Sequence, residues 1–242
     1  MPVPRRRPAA NGLTLSGNDR IGRFRVERHR AAPSVLHALE IPEPVEPTVW
    51  VLSADRPGLV LGSTQDAAIV DTAAAARLGV EIARRRSGGA AVYVDPAAMT
   101  WVDIIVPHGD PRWSDDVGVA FEWVGELWLD ALRRCGIADA SVHRGPMVTT
   151  PWSPLVCFAG RGPGEVVQGD AKLVGISQRR TRGWARFQCA ALLEWRVEPY
   201  LELLIDTHGR RDAEVAMGAV GASLGLDHHT LLGALLASLA AV

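Results

Sequence analysis

The single lysine of this chain is the residue whose type most suggests chemistry. Of the 26 basic residues, 25 are arginine and only one, Lys172, is lysine. A compact ammonium and a planar guanidinium are not interchangeable at a site. Lys172 begins an apolar strand in which Gly175 could admit a ligand or another backbone. A lysine there can polarise an acyl carbonyl or neutralise a phosphate, although a strand-end lysine in solvent is the simpler alternative.

A glycine turn forms the second group of candidate residues. Three arginines, Arg84, Arg85 and Arg86, lead into Ser87-Gly88-Gly89-Ala90, and a strand-like stretch with Tyr93 follows. Glycines let backbone amides approach an anion closely, and guanidinium groups bind phosphate or carboxylate through paired hydrogen bonds. The turn therefore predicts a site for a phosphate or an acyl-adenylate. A plain β-turn with solvated arginines is the alternative.

The three cysteines, Cys135, Cys157 and Cys189, include no C-x-x-C pair, which argues against a disulfide framework and a zinc site. Cys157 lies in a loop rich in glycine and proline, where an exposed thiol can act as a nucleophile if a neighbour lowers its pKa. Cys135 falls on the apolar stripe of a predicted helix, so it is expected to fill the core. The seven histidines lack metal-ligand spacing, and no metal site is predicted.

Periodicity predicts the elements that must position these residues. The strongest signal is an amphipathic helix over Asp115–Cys135, and the second is a hairpin of Glu165–Gln168 with Lys172–Ser177 that Trp184–Leu193 extends into a meander. The other predicted strands and helices are Phe24–Glu40 (a strand, then a short helix), Thr48–Leu52, Gly58–Gly62, Thr72–Leu78, Val80–Arg84, Ala91–Val94, Met99–Val106, Asp212–Leu224 and Thr230–Ala240. This order indicates an α+β fold with a mixed or antiparallel sheet flanked by helices.

Length and charge limit the possible classes of protein. We expect residues 1–22 to form a disordered basic tail and residues 23–242 a single domain, without a second domain at the C-terminal end. A net charge of -1 gives no field that would attract nucleic acid or an anionic membrane. No apolar run reaches the roughly 18 residues of a membrane span, and no secretory signal is recognisable, so we expect a cytoplasmic protein.

Together, the two motifs resemble those of lipoate-protein ligases, in the same order along the chain. The arginine and glycine segment Arg84–Asp95 and the lysine segment Asp170–Arg179 carry the resemblance, and Pro57–Gly62 is similar to the stretch that opens the lipoate pocket. The similarity extends over about Thr48 to Leu193. It implies the mixed-sheet catalytic domain that biotin and lipoate ligases share.

The resemblance also implies roles for individual residues. Lys172 would contact the acyl carbonyl or the adenylate phosphate. The residues that would line the acyl-adenylate site are Arg85, Ser87, Gly88, Gly89, Ala90, Tyr93, Gly175 and Ser177. Three positions depart from the family pattern: Val94 replaces a histidine, Ala90 replaces the third glycine, and Phe187–Leu193 lacks the usual histidine.

Three functions follow from the resemblance and remain open at this point. A ligase would activate lipoate or octanoate with ATP and Mg²⁺, and the glycine turn, which is closer to the ligases, favours this reading. An octanoyltransferase would carry the acyl group from an acyl carrier protein on Cys157, since Cys157-Phe158 resembles the cysteine loop of one transferase branch. A non-catalytic acyl-binding protein is the third. For either enzyme, the acceptor would be a lysine of a lipoyl domain or of the glycine-cleavage H protein, and no cofactor would be permanently bound.

Overall fold

An eight-stranded mixed sheet forms the centre of the fold in the computed structural model, which describes residues 19–204, 214 and 216–242. Its strands, in spatial order, are β1 (Asp19–Ile21), β2 (Phe24–Ala31), β3 (Thr48–Ala54), β7 (Met99–Pro107), β11 (Trp184–Leu192), β10 (Ala171–Arg180), β9 (Val166–Gln168) and β8 (Ala140–Val142). Only β2 and β3 pair in parallel within this sheet.

A second sheet of three strands brings the glycine turn to the large sheet. It consists of β5 (Glu81–Arg84), β4 (Gly58–Leu61) and β6 (Val92–Val94), with β4 in the middle. β4 pairs in parallel with β5 and antiparallel with β6. The chain from β5 to β6 must therefore cross the end of β4, and the glycine turn lies in that crossing.

Five helices lie wholly within the described part of the chain. They are α1 (Pro33–Ala38), α2 (Thr72–Leu78), α3 (Val117–Arg134), α4 (Glu198–Leu203) and α5 (His228–Ala240). Aspartates cap the N-termini of three of these helices. The side chains of Asp71, Asp116 and Asp227 accept hydrogen bonds from backbone amides of the first turn. None of the described helices is both long and apolar enough to cross a membrane.

The central strand β7 is buried because both faces of the sheet are covered. Alternate side chains of a strand point to opposite faces. Val102 and Ile104 pack with Trp128 of α3 and with α5, whereas Trp101 and Ile105 belong to a separate core with α1 and the small sheet. For this reason the strand is apolar on both faces, apart from Thr100 and Asp103.

The sequence predictions of the fold class, of α3 and of the β9–β10–β11 meander are confirmed. The predicted tail over residues 1–22 is wrong at its end, because Asp19–Ile21 form β1 and pair with β2. Gly22 allows this tight hairpin, with a left-handed φ of 55°. Residues 1–18 lie outside the described part of the chain. Residues 212, 213 and 215 of the predicted helix Asp212–Leu224 also lie outside it, whereas residues 214 and 216–218 are helical.

An ion pair is buried between β7 and β11. Arg186 Nε donates to Asp103 Oδ2 over 2.6 Å, and Trp101 Nε1 donates to Asp103 Oδ1 over 2.8 Å. Arg186 also donates to the carbonyl oxygens of Leu36 and Leu39 at the end of α1. The two charged side chains are 1% and 0% exposed. The pair therefore ties α1 to the centre of the sheet.

We expect Asp103→Ala to lower the free energy of unfolding by about 3–5 kcal/mol, because the charge of Arg186 would stay buried without its partner. The matched control is Arg20→Ala, which breaks the exposed pair with Glu46 and should cost about 1 kcal/mol or less. Urea unfolding of the full chain measures both. A similar small loss in the two variants would contradict the assigned importance of the buried pair.

Candidate active site

Two cavities meet beside the glycine turn. One is a narrow, mostly apolar pocket with a volume of about 40 Å³, and the other is an open cleft with a volume of about 550 Å³. Cys157, Ile176 and Ser177 line both. The remaining residues of the pocket are His37, Val60, Arg85, Val92, Val94, Met99, Trp101, Phe158, Gly175, Gln188, Cys189 and Ala190. Ligands that occupy the pocket and the cleft together would meet at Cys157.

Arg85 holds the glycine turn in place. Its guanidinium donates to the carbonyl oxygens of Val60, Gly88 and Ala90, and the side chain is buried. Burial lowers the pKa of Arg85 below its usual value. Gly62 permits the close packing of this turn, because a Cβ there would lie 1.7 Å from the carbonyl oxygen of Gly89. Arg85 lines the pocket, but most of its donors are used on backbone carbonyl groups.

The turn presents backbone donors at the cleft. Gly88, Gly89 and Ala90 line the cleft, and their amide N–H groups have no hydrogen-bond acceptor among the described residues. Gly89 has a φ of 91°, a conformation that other residues rarely adopt. Consecutive amides without acceptors can stabilise an anion or a developing oxyanion.

Lys172 is deeply buried and clamps the loop that carries Cys157. Its ammonium lies 2.8 Å from Glu165 Oε2 and donates to the carbonyl oxygen of Cys157 over 2.7 Å. Glu165 in turn accepts from the amides of Gly162 and Ile176. The lysine side chain is 1% exposed, so the solvated lysine considered from sequence is wrong. These two contacts use two of its three N–H bonds, and the ammonium also lies 5.2 Å from the centre of the Phe158 ring.

Cys157 lies in a short 3₁₀ turn, Cys157–Ala159, that follows the apolar end of the loop. Its amide donates to the carbonyl oxygen of Ala91 over 2.9 Å, which fixes the loop beside the glycine turn. A Cβ on Gly89 would lie 4.0 Å from the Cys157 sulfur. The thiol is therefore half-buried next to the free amides. Burial raises the pKa of the other two cysteines, Cys135 and Cys189, which disfavours their thiolates.

A chain of hydrogen bonds links the turn to β11 and α1. Ser87 Oγ donates to Gln188 Oε1 over 2.6 Å and lies 3.0 Å from Ser177 Oγ, while Gln188 Nε2 lies 3.0 Å from His37 Nδ1. Sequence reasoning selected both serines but missed His37 and Gln188. Nothing in their spacing pointed to the site, because α1 lies about 150 positions before β11 in the chain.

Two further sequence candidates have different surroundings. Gly175 lines the pocket, and a Cβ there would lie 3.2 Å from the Phe158 ring, so the glycine makes room for that ring rather than for another backbone. Tyr93 is not among the described residues that line either cavity. Its backbone amide instead donates a hydrogen bond to the Tyr200 hydroxyl over 2.8 Å. Among the described residues, no three His, Cys, Asp or Glu side chains are grouped to hold a metal ion.

Stability should depend on pH through His37. Burial, followed by the positive charges of Arg186 and Arg85, lowers the pKa of His37 from 6.5 to about 3. The unfolded chain therefore binds a proton below pH 6.5 that the folded chain refuses until about pH 3. The free energy of unfolding should fall as the pH drops through this window.

We expect the wild type to lose about 2 kcal/mol more than His37→Asn between about pH 7.5 and pH 5, at about 1.4 kcal/mol per pH unit below the unfolded pKa. Asparagine keeps an acceptor for Gln188 but does not titrate. Urea unfolding at several pH values measures the difference between the two slopes. Parallel curves would show that His37 does not control this pH dependence.

Comparison with known proteins identifies the fold. The sequence model of the lipoyl protein ligase A/B catalytic domain matches residues 31–221. No curated protein sequence matches the chain. Similar solved structures include a putative lipoate protein ligase from T. acidophilum with bound lipoic acid, at a TM-score of 0.68 and 17% identity over 91% of this chain and 85% of that chain.

Two more solved structures have the same fold. A lipoate-protein ligase A bound with ATP has a TM-score of 0.66 and 17% identity, over 91% of this chain and 84% of that chain. A bipartite lipoate protein ligase, described with its E2 lipoyl domain from Thermoplasma acidophilum, has a TM-score of 0.67 and 17% identity over 91% and 82%. With a family match that spans most of its length, this chain belongs to the lipoyl protein ligase A/B catalytic domain family.

Proposed function

We propose that this protein transfers an octanoyl or lipoyl group to a lysine of a lipoyl domain, and that Cys157 carries the acyl group as a thioester. The observation that carries the proposal is the position of Cys157, which lines both the apolar pocket and the open cleft. An acyl chain in the pocket would place its carbonyl carbon at this junction. The acceptor lysine would approach through the cleft.

The reaction has two steps. The Cys157 thiol loses its proton to solvent, and the thiolate attacks the thioester carbonyl of an acyl donor. The new C–S bond forms, the C–S bond of the donor breaks, and the departing sulfur takes up a proton from solvent. The acceptor amine then attacks the Cys157 thioester, a C–N bond forms, the C–S bond breaks, and the amine loses a proton. Each tetrahedral intermediate carries an oxyanion. The amides of Gly88–Ala90 and the remaining N–H of Lys172 are the donors available to stabilise it.

Charge in the cleft supports the thioester route over ATP. Among the described residues that line the cleft, the charged ones are Lys172 and Glu165, and these two form an ion pair. A nucleotide would bring several negative charges into a cleft whose lysine is already neutralised. A neutral thioester needs no positive charge for binding. The charge of the cleft therefore favours the transferase, whereas the glycine turn by itself favours the ligase.

An ATP-dependent ligase is the second candidate, because the free amides of the glycine turn could also bind phosphate. A structurally similar ligase is described with bound ATP. In this case ATP with Mg²⁺ would activate free octanoate or lipoate, and Lys172 would contact the acyl carbonyl or the phosphate. Both candidates deliver the acyl group to the same acceptor lysine.

The proposed acceptor is a lipoyl domain, and the glycine-cleavage H protein is a further candidate. A structurally similar ligase is described together with its E2 lipoyl domain. The cleft, with a volume of about 550 Å³, is large enough to admit a lysine side chain from the surface of another protein. For the thioester route, the proposed donor is an acyl carrier protein.

We expect intact-protein mass spectrometry to detect one octanoyl group on a recombinant lipoyl domain when octanoyl-acyl carrier protein is supplied without ATP. The wild-type enzyme should also carry a transient octanoyl adduct. Cys157→Ser should abolish both signals, because a serine hydroxyl lacks the nucleophilicity of a thiolate. Cys135→Ser is the matched control and should leave both unchanged.

Other outcomes would assign a different function. Acylation that requires octanoate or lipoate with ATP and Mg²⁺, and that Cys157→Ser retains, would establish the ligase. Binding of octanoate without modification of the lipoyl domain or the H protein from either donor would establish the non-catalytic acyl-binding protein.

Lys172→Met should slow acylation by about 100-fold or more, because it removes an N–H donor from the developing oxyanion. The same change leaves Glu165 buried and unpaired, which should lower the free energy of unfolding by about 3–5 kcal/mol. The double variant Lys172→Met with Glu165→Gln removes that charge and should recover much of the stability. If the double variant also recovers activity, Lys172 acts through the stability of the loop alone.

A further inference from the structure

Ser177 occupies the place where the acyl pocket opens into the cleft. It is half-buried and lines both cavities together with Cys157. It also faces Gln188 across the β10–β11 ladder, as its direct partner in the register. The hydroxyl of Ser177 lies 3.0 Å from that of Ser87, and either oxygen could donate across this contact. The direction of this one hydrogen bond decides what Ser177 can offer to a substrate.

The orientation of the Gln188 amide settles that direction. Gln188 Oε1 accepts from Ser87 Oγ, and Gln188 Nε2 lies 3.0 Å from His37 Nδ1 on the other side of the amide. The NH₂ group of Gln188 therefore faces His37 Nδ1, which accepts in the tautomer that carries the ring proton on Nε2. The carbonyl oxygen Oε1 then faces Ser87.

The distances agree with this orientation. Ser87 Oγ and Gln188 Oε1 are 2.6 Å apart, which is ordinary for O–H···O and short for N–H···O. A carbonyl oxygen cannot donate, so the Ser87 proton points to Gln188. Ser87 can then only accept from Ser177. The single hydroxyl proton of Ser177 is thus committed to Ser87, and its free lone pairs face the junction of the two cavities.

We propose that Ser177 orients the acceptor lysine by accepting one N–H of the attacking amine. The inference rests on the proposed acyl transfer and deepens it, because it names the group that receives the amine. The structure holds Ser177 as an acceptor, which excludes it as a donor to the acyl oxygen or to a phosphate. The amine is the partner of the reaction that brings N–H donors to this point.

The geometry of attack gives this contact its effect. The amine nitrogen must direct its lone pair at the acyl carbon beside Cys157, and an N–H held by Ser177 at the same junction restricts its rotation. The C–N bond forms as the C–S bond to Cys157 breaks, and the amine proton is lost to solvent. Ser177 does not keep the amine proton, because its own hydroxyl proton stays in the hydrogen bond to Ser87 and its oxygen serves only as an acceptor.

The test separates loading of the enzyme from transfer to the acceptor. Wild-type protein and Ser177→Ala are loaded with octanoyl-acyl carrier protein, and the octanoyl adduct is followed by mass spectrometry. A recombinant lipoyl domain is then added, and the single-turnover rate of adduct loss to the domain is measured over a range of domain concentrations. Ser177→Ala should load at the wild-type rate and transfer about tenfold more slowly at saturating acceptor.

Two further variants act as controls. Ser177→Thr keeps a hydroxyl at this position and should transfer the acyl group at about the wild-type rate. A variant that fills the space without a hydroxyl should stay slow. Ser141→Ala removes an exposed serine of the same sheet and should change neither step. Because loading is measured on the same protein, a folding defect in Ser177→Ala would be visible as a loss of loading.

Each alternative outcome counts against one proposal. Equal transfer rates in Ser177→Ala and the wild type would overturn the role of Ser177. So would a parallel decrease of loading and transfer, because Ser177 would then only shape the acyl site. Failure of the wild type to modify the lipoyl domain or the H protein would instead contradict the proposed function, and the role of Ser177 would fall with it.

Discussion

The buried ion pair between Lys172 and Glu165 is the interaction on which the site depends. Burying a charge is costly unless it is paired and hydrogen-bonded, so both groups need fixed partners. Lys172 finds them in Glu165 and in the carbonyl oxygen of Cys157, while Glu165 accepts from two backbone amides. The backbone of Lys172 is itself braced, because its amide donates to the carbonyl oxygen of Val220. One electrostatic requirement thus fixes the position of the cysteine loop relative to the strand that lines the cleft.

A second polar group, centred on Asp103 and Arg186, fixes the opposite wall of the pocket. Gln188, the register partner of Asp103, accepts from the hydroxyl of Ser87, so the glycine turn is held both by its own Arg85 and by the large sheet. Networks of this kind are strong only when every member is satisfied. The junction between pocket and cleft is therefore pre-organised before any acyl group enters, which favours precise placement of a reacting carbonyl.

The cleft is nearly neutral although the chain contains 25 arginines. The arginines next to the site direct their donors at backbone carbonyl groups: Arg84 holds the β4 end at Gly62, and Arg85 holds the turn. They organise the backbone rather than supply a positive field. The remaining donors at the cleft are neutral amides, which suit an oxyanion that exists only in the transition state.

Sequence alone determined the fold class, the long helix, the β9–β10–β11 meander and the importance of Lys172, because these depend on periodicity, on local turn residues and on the rarity of one residue type. The partners of those residues depended on the tertiary structure. His37, Gln188 and Glu165 come from three separate elements, and their roles arise from hydrogen bonds across strands and from burial, which no spacing reveals. The direction of the hydrogen bond at Ser177 is likewise decided by Gln188 on the neighbouring strand, which accepts the Ser87 proton. Local sequence patterns determine local structure. The chemistry of a buried site depends instead on which groups, distant in the sequence, are packed together there away from water.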